Sequence, residues 1–288
     1  MKLMHRLISG FSIAIAWVLI MRNLPGSVMF AIFLICALLC QWEFYKLARQ
    51  GGYVACDRLG IALGAAWFLA VFVMPRDISW EGPLLVFGGF LVLFWLLFDK
   101  NAIRPLESAA VTLLGIFYVP FMMSYLIRLA QWNTPAPMML STGGVFMAFY
   151  LALVVKTSDG MAFAVGTKLG RHKMLPRISP GKSWEGLAGG LLMAIASSVA
   201  VVAVVHHCPN LVPVSPLSYI GYTQAVALGL VMGILGVIGD LVESMFKRSI
   251  NVKDSGGILP GHGGLLDRFD GFLLAAPIVY TYLYFISA

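Results

Sequence analysis

Residues Tyr222–Met245 read YTQAVALGLVMGILGVIGDLVESM, and no charged side chain occurs before Asp240. A helix needs about 20 predominantly apolar residues to cross the hydrocarbon core of a bilayer. This stretch is therefore predicted to be a membrane-spanning helix whose polar end begins at Asp240. An irregular segment is excluded, because backbone polar groups in lipid must be satisfied within the protein itself.

The composition of the whole sequence is that of a membrane protein. Hydrophobic residues make up 60% of the 288 residues and charged residues only 11%, whereas soluble domains carry about 25% charged residues. These values exclude a soluble enzyme, a disordered tail protein and a disulfide-rich secreted module. The net charge of +7 fits basic cytoplasmic loops of a membrane protein, and no basic stripe indicates nucleic-acid binding.

Further apolar stretches predict an all-α, polytopic membrane protein with about nine transmembrane helices. Most of the 20 Lys and Arg residues fall on one side of the predicted membrane, which places the N-terminus in the cytoplasm. The predicted helices are Leu7–Met21, Ser27–Leu47, Leu59–Met74, Pro83–Phe98, Ala109–Leu129, Gly144–Val165, Glu185–Val205, Tyr222–Met245 and Gly271–Ser287.

The sequence divides into two regions. Residues 1–143 hold about five of the predicted transmembrane helices. Residues 144–288 are predicted to be the catalytic transmembrane region, because the longest polar loops, 166–183 and 246–270, lie there and are assigned to the cytoplasmic side. Many of the acidic residues also fall in this second region: Asp159, Glu185, Asp240, Glu243, Asp254, Asp267 and Asp270.

A polar stripe ends the helix quoted first. Asp240, Glu243, Ser244 and Lys247 are spaced so that they share one helix face. A stripe of this kind in a membrane helix faces protein or water, and its simplest role is contact between helices. Two carboxylates one turn apart beside a hydroxyl also offer hard oxygen ligands, so we favour a Mg²⁺ site.

Two charged residues are predicted to lie inside the sixth helix. Lys156 and Asp159 are three residues apart and therefore share a face. They can simply neutralise each other, which would ease insertion of the helix into the membrane. The functional alternative is that they form a polar wall of a cavity within the membrane.

The two polar loops have the composition of phosphate-binding segments. Residues 253–264 are rich in glycine, and exposed backbone amides in such a turn can bind phosphate oxygens. Asp267 and Asp270 open the last helix, either as helix caps or as ligands for a metal-bound polyphosphate. In the other loop, Gly181–Ser183 resembles the end of a P-loop, but the preceding pattern is absent. That loop is basic, and Ser183–Gly186 has the residues of a helix start.

The stretch from Ser244 to Asp270, SMFKRSINVKDSGGILPGHGGLLDRFD, resembles the signature of the CDP-diacylglycerol synthases, also called phosphatidate cytidylyltransferases. Upstream, Ser179–Gly186 is similar to the S-P-x-K-[TS]-x-E-G element of that family. Residues 159–173 follow its D-x-x-A-Y-x-x-G-x-x-x-G-[KR] pattern, except that Gly160 replaces the usual Ser or Thr and Phe163 the usual Tyr. The resemblance covers about Val155 to the C-terminus.

The resemblance implies transfer of the cytidylyl group of CTP to phosphatidate, which gives CDP-diacylglycerol and pyrophosphate in phospholipid biosynthesis. It implies Mg²⁺ as the cofactor, with a potassium ion beside it as a further expectation. Asp240 and Asp267 are expected to hold the metal, with Asp270 and Glu243 as supporting ligands. The alternative is a paralogous CTP-dependent membrane transferase that acts on another lipid phosphate or on a polyprenol.

The resemblance also implies roles for the basic residues. Ser179 and Lys182 are expected to contact the nucleotide phosphates, and His262 to donate a hydrogen bond to the leaving pyrophosphate. Asp159 is expected to line the cavity. Four basic residues are expected to bind either CTP or the lipid phosphate: Lys247, Arg248, Lys253 and Arg268.

Cellular context and rival functions follow from the same residues. We expect an integral protein of a bacterial inner membrane, with a cytoplasmic active site and a homodimeric assembly as the resemblance implies. A transporter is disfavoured because the charges gather at one membrane face and not at the midplane. A CDP-alcohol phosphotransferase is excluded, since Phe163 and Ala164 interrupt its motif. A further alternative is a degenerate paralogue that binds CTP without turnover, which only an activity assay can exclude.

Overall fold

The structure is a computed structural model that describes residues 25–74, 78–99, 103–132, 134, 138–208, 215–252, 255–256 and 263–287. Eight long helices occur in these ranges. They are α1 (Gly26–Gln50), α2 (Asp57–Val73), α3 (Glu81–Phe98), α4 (Pro105–Ala130), α5 (Thr142–Leu169), α6 (Trp184–His207), α7 (Tyr222–Ser249) and α8 (Leu266–Ser287).

The all-α membrane fold predicted from the sequence is confirmed. All of the long helices in the described ranges coincide with predicted ones, and seven of them are long and apolar enough to cross a membrane. The exception is α2, which has 17 residues. The first predicted helix, Leu7–Met21, lies outside the described residues, so the total of about nine is not contradicted.

The helices α7 and α8 extend into the region predicted as a loop. Helix α7 continues to Ser249 and α8 begins at Leu266, so Lys247 and Asp267 lie on regular helix. Their side chains form a hydrogen bond between the two helices. This contact helps to stabilise the additional helical turns, because most of the stability of a helix in a protein comes from tertiary contacts. The signature residues are therefore held by two packed helices and not by a long loop alone.

The other predicted loop contains a β-hairpin. Strands β1 (Lys173–Leu175) and β2 (Ser179–Ser183) pair antiparallel, with Lys173 opposite Ser183. The hairpin has only two strands, so Pro180 can lie in β2 without breaking a wider hydrogen-bond ladder. The sequence pattern does not indicate these strands, because three and five residues are too few to show an alternating pattern.

Small residues bring α5, α6 and α7 into close contact. A side chain added at Gly229 would collide with the backbone of α6 at Ala194, which is typical of tightly packed membrane helices. The buried Ser198 hydroxyl on α6 donates to the Ala225 carbonyl and lies 2.6 Å from the Tyr150 hydroxyl. These bonds fix the three helices that carry the polar ends of the second region.

Polar contacts also fix the first region. The buried Tyr45 hydroxyl on α1 donates to the Thr112 carbonyl on α4, and Gln41 donates to the Gly60 carbonyl on α2. Far along the chain, α1 packs against α8 as well. The orientation of α1 relative to the second region is therefore set by direct contacts.

Candidate active site

An acidic cluster forms where α7 meets the first turns of α8. Asp240 and Glu243 on α7 and Asp270 on α8 each offer one oxygen, and these oxygens lie within 4.8 Å of one another. The close approach depends on Gly239, since a Cβ there would collide with the Asp270 carbonyl oxygen. The predicted stripe on α7 thus faces α8, and three of the four predicted metal ligands meet.

The donor set of this cluster fits a divalent cation. Glu243 is fully buried, and its Oε1 has no hydrogen-bond partner among the described residues. An unsatisfied buried carboxylate oxygen is costly. Carboxylate oxygens are the ligands that Mg²⁺ prefers, so a cation bound here would satisfy that oxygen.

Asp267, the fourth predicted metal ligand, lies beside the cluster. Its Oδ1 accepts from Lys247 Nζ at 2.6 Å, and its Oδ2 accepts from the Gly264 backbone amide at 2.8 Å and the Ser255 amide at 3.3 Å. Lys247 also donates to Glu243 Oε2 at 3.2 Å. Lys247 therefore links the two helices, and Asp267 orders the loop before α8.

The β-hairpin places a lysine against the acidic cluster. Lys182 Nζ on β2 lies 2.7 Å from Asp240 Oδ2 and donates to the Val237 carbonyl at 3.2 Å. At the base of the hairpin, Glu185 accepts from the backbone amide of His172 and bonds its Nδ1 at 2.6 Å. Ser183 caps α6 by accepting from the Gly186 amide, which confirms the predicted helix start.

A cavity of about 500 Å³ opens beside the acidic cluster. This volume lies within the range of about 300–1,000 Å³ that is typical of small-molecule sites. Asp240 and Asp270 form one wall. The other predicted site residues that line it come from α5, the hairpin and α8: Asp159, Ser179, Lys182, Asp267 and Arg268.

The remaining predicted residues have different positions. Arg248 Nε donates to the Ile178 carbonyl in the hairpin turn, and its Nη1 donates to the Val252 carbonyl. Arg248 thus connects α7 to the hairpin. Lys253 and His262 lie outside the described residues, so their roles stay predictions.

Glu43 on α1 is a site residue that is not among those predicted from the sequence. Its side chain is fully buried, and its Oε2 accepts from the backbone amide of Leu266, the first residue of α8, at 2.8 Å. A Cβ at Gly256 or Gly264 would collide with this carboxylate. The signal was present, because an acidic residue inside an apolar predicted helix indicates a functional position.

The family model described as "Cytidylyltransferase family" matches residues 4–286. The chain belongs to this family. The sequence motifs indicate similarity to this family only from about Val155 onward. The family model also covers the first region, including α1 with Glu43. The polar ends of α5, α7, α8 and the hairpin form the candidate active site of a cytidylyltransferase.

Relatives from several bacteria carry a more specific name. The phosphatidate cytidylyltransferase of Bacillus subtilis is 35% identical over 222 residues, which is 75% of each chain. The phosphatidate cytidylyltransferase of Mycobacterium bovis is 31% identical over 293 aligned positions, covering 96% of this chain and 88% of the relative. That of Staphylococcus saprophyticus is 34% identical and covers 73% of this chain and 74% of the relative.

Proposed function

We propose that this protein is a phosphatidate cytidylyltransferase. A phosphate oxygen of phosphatidate attacks the α-phosphorus of CTP and forms a new P–O bond. The bond between the α-phosphorus and the bridging oxygen breaks, and pyrophosphate leaves with the electron pair. The observation that carries this proposal is the cavity beside the cluster of Asp240, Glu243 and Asp270, in which Lys182 pairs with Asp240, in a chain of the cytidylyltransferase family.

We assign Mg²⁺ to the cluster of Asp240, Glu243 and Asp270. The assignment is supported by their oxygen donors and by the unpaired Glu243 Oε1. Bound there, the ion would neutralise phosphate charge and polarise the α-phosphorus. Asp267, expected at first as a principal ligand, would act through Lys247 and the loop amides that it holds. Potassium stays a prediction from the resemblance, with no residue assigned.

The basic residues would hold the two anionic substrates in the geometry that in-line attack on the α-phosphorus requires. Lys182 would bind a nucleotide phosphate, together with Ser179 on the same strand and Arg268, since all three line the cavity. The phosphate of phosphatidate is already ionised near neutral pH, so the reaction needs no strong general base. Catalysis would then depend mainly on positioning and on charge stabilisation.

The protein is an integral membrane protein, since seven helices within the described residues are long and apolar enough to span a bilayer. The active-site residues lie at the ends of α5, α7 and α8 that adjoin the two polar loops. We place this end on the cytoplasmic side of a bacterial inner membrane, as the distribution of Lys and Arg predicts. CTP would enter from the cytoplasm and phosphatidate from the membrane. The homodimer stays a prediction.

The test uses detergent-purified protein with labelled CTP, phosphatidate and Mg²⁺. We expect labelled CDP-diacylglycerol from the wild type and a loss of at least about 100-fold in turnover for Asp240→Asn, because the variant loses a charged metal ligand. Glu107→Gln, at an exposed position, is the matched control and should keep full activity.

Two other results would be informative. An Asp240→Asn variant with near wild-type turnover would contradict the metal assignment. Folded wild type that makes no CDP-diacylglycerol, but transfers the cytidylyl or phosphoryl group of CTP to a polyprenol or to another lipid phosphate, would replace the proposed substrate. Product from none of the lipids would contradict an active transferase.

A further inference from the structure

Lys156 carries a positive charge deep within a membrane-spanning helix. It precedes the end of α5 at Leu169 by 13 residues, which corresponds to about 20 Å along the axis at 1.5 Å per residue. Its side chain lines the same cavity as Asp240 and Asp270 and is 43% exposed. A lysine at such a depth is costly unless it faces a polar site.

The ammonium group of Lys156 is the least engaged of three that surround the acidic cluster. Its Nζ lies 3.8 Å from Asp159 Oδ2, which is beyond the usual hydrogen-bond distance of about 2.7–3.2 Å. Lys182 and Lys247, by contrast, contact their carboxylate partners at 2.7 and 2.6 Å. Within the described part of the chain, Lys156 therefore keeps its hydrogen-bond donors for a ligand.

An aromatic ring holds Lys156 in place without using those donors. Its Nζ lies 4.7 Å from the centroid of the Phe272 ring on α8, which is within the range of about 6 Å for a cation–π interaction. Phe272 follows Asp270 by one half-turn, so the same helix supplies both the carboxylate and the ring. The ammonium group is thus positioned at the cavity wall but not neutralised by a close ion pair.

The two lysines reach the cavity from different elements. Lys182 projects from the hairpin, outside the spanning helices, and its Nζ is already engaged by Asp240 and the Val237 carbonyl. Lys156 projects into the same cavity from the membrane-spanning helix α5, and its nearest carboxylate contact among the described residues is 3.8 Å away. We propose that Lys156 binds the phosphate monoester of the lipid substrate and sets it opposite the nucleotide held at Lys182. The proposal rests on the proposed function and names a binding residue for its lipid substrate.

The test compares Lys156→Met, which removes the charge and keeps an unbranched chain, with Lys156→Arg, which keeps the charge. Binding of short-chain phosphatidate to detergent-purified protein is measured by calorimetry without CTP or metal, and KM is measured separately for each substrate. We expect Lys156→Met to weaken phosphatidate binding at least tenfold, which is about 1.4 kcal/mol. Its KM for CTP should change less than twofold, and Lys156→Arg should keep most of the affinity.

The double variant Lys156→Met/Asp159→Asn removes the carboxylate that the single variant leaves unpaired. It should show the same loss of phosphatidate binding, and it provides the measurement if the single variant fails to fold. Unchanged phosphatidate binding in either methionine variant overturns the proposal, as does an increase in KM confined to CTP. Wild type that binds phosphatidate but forms no CDP-diacylglycerol would contradict the proposed function and leave the binding comparison valid.

Discussion

Two ion pairs between different elements fix the charged residues of the site: Lys182 with Asp240, and Lys247 with Asp267. Asp240, Glu243 and Lys247 share a face because their spacing matches the helical period, and the structure places them together. The partner of each was beyond prediction, since spacing along one helix does not say which residue of another helix lies opposite. Asp267 is the example: its carboxylate accepts from Lys247 on α7, a contact that its position on α8 does not indicate.

Lys182 gives a prediction at the same scale. We expect Lys182→Ala to raise KM for CTP by about tenfold, because a charged contact to a phosphate contributes roughly 1.5–3 kcal/mol, and to leave KM for phosphatidate nearly unchanged. Steady-state kinetics with each substrate varied in turn provides the measurement. Lys168→Ala, on the last turn of α5, is the control. An unchanged KM for CTP would remove Lys182 from the nucleotide site.

At the scale of elements, the sequence predicted which segments are helical but not how their ends are fixed. The helix period and apolar length identify α7 and α8, yet the first turn of α8 depends on Glu43, more than 200 residues away. The free amides at a helix start need an acceptor, and a buried carboxylate supplies one here. No local pattern around Leu266 could indicate that partner.

Glu43 therefore gives a prediction about α8. Glu43→Ala would leave the Leu266 amide buried without its acceptor, at a cost of about 1–3 kcal/mol, and would misplace Asp267 and Asp270. We expect a lower melting temperature and a reduced kcat with little change in KM for CTP. Glu43→Gln keeps an acceptor oxygen and should recover part of both. If Glu43→Ala matched wild type in kcat and melting temperature, the capping role would be wrong.

For the whole molecule, the sequence suggested that catalysis belongs to residues 144–288. The site residues of the cavity do lie in this region, but the first region supplies the Glu43 cap and a second contact. The buried pair of Arg128 on α4 and Glu81 on α3 is enclosed by Trp80, Tyr125 and, from the second half of α8, Tyr280. The first region thus contacts α8 both at its first residue and in its second half.

Separate expression of the two regions would test this connection. We expect residues 144–288 alone to be inactive, because α8 would lose its Glu43 cap and its contacts with α1 and α4. Co-expression with residues 1–143 should restore CDP-diacylglycerol formation, since helices inserted separately can associate in the membrane. Co-expression with the Glu43→Ala form of residues 1–143 should restore much less, although that piece differs by one side chain. Full activity of residues 144–288 alone would show that α8 is positioned without the first region, and equal rescue by both pieces would attribute the restoration to general packing.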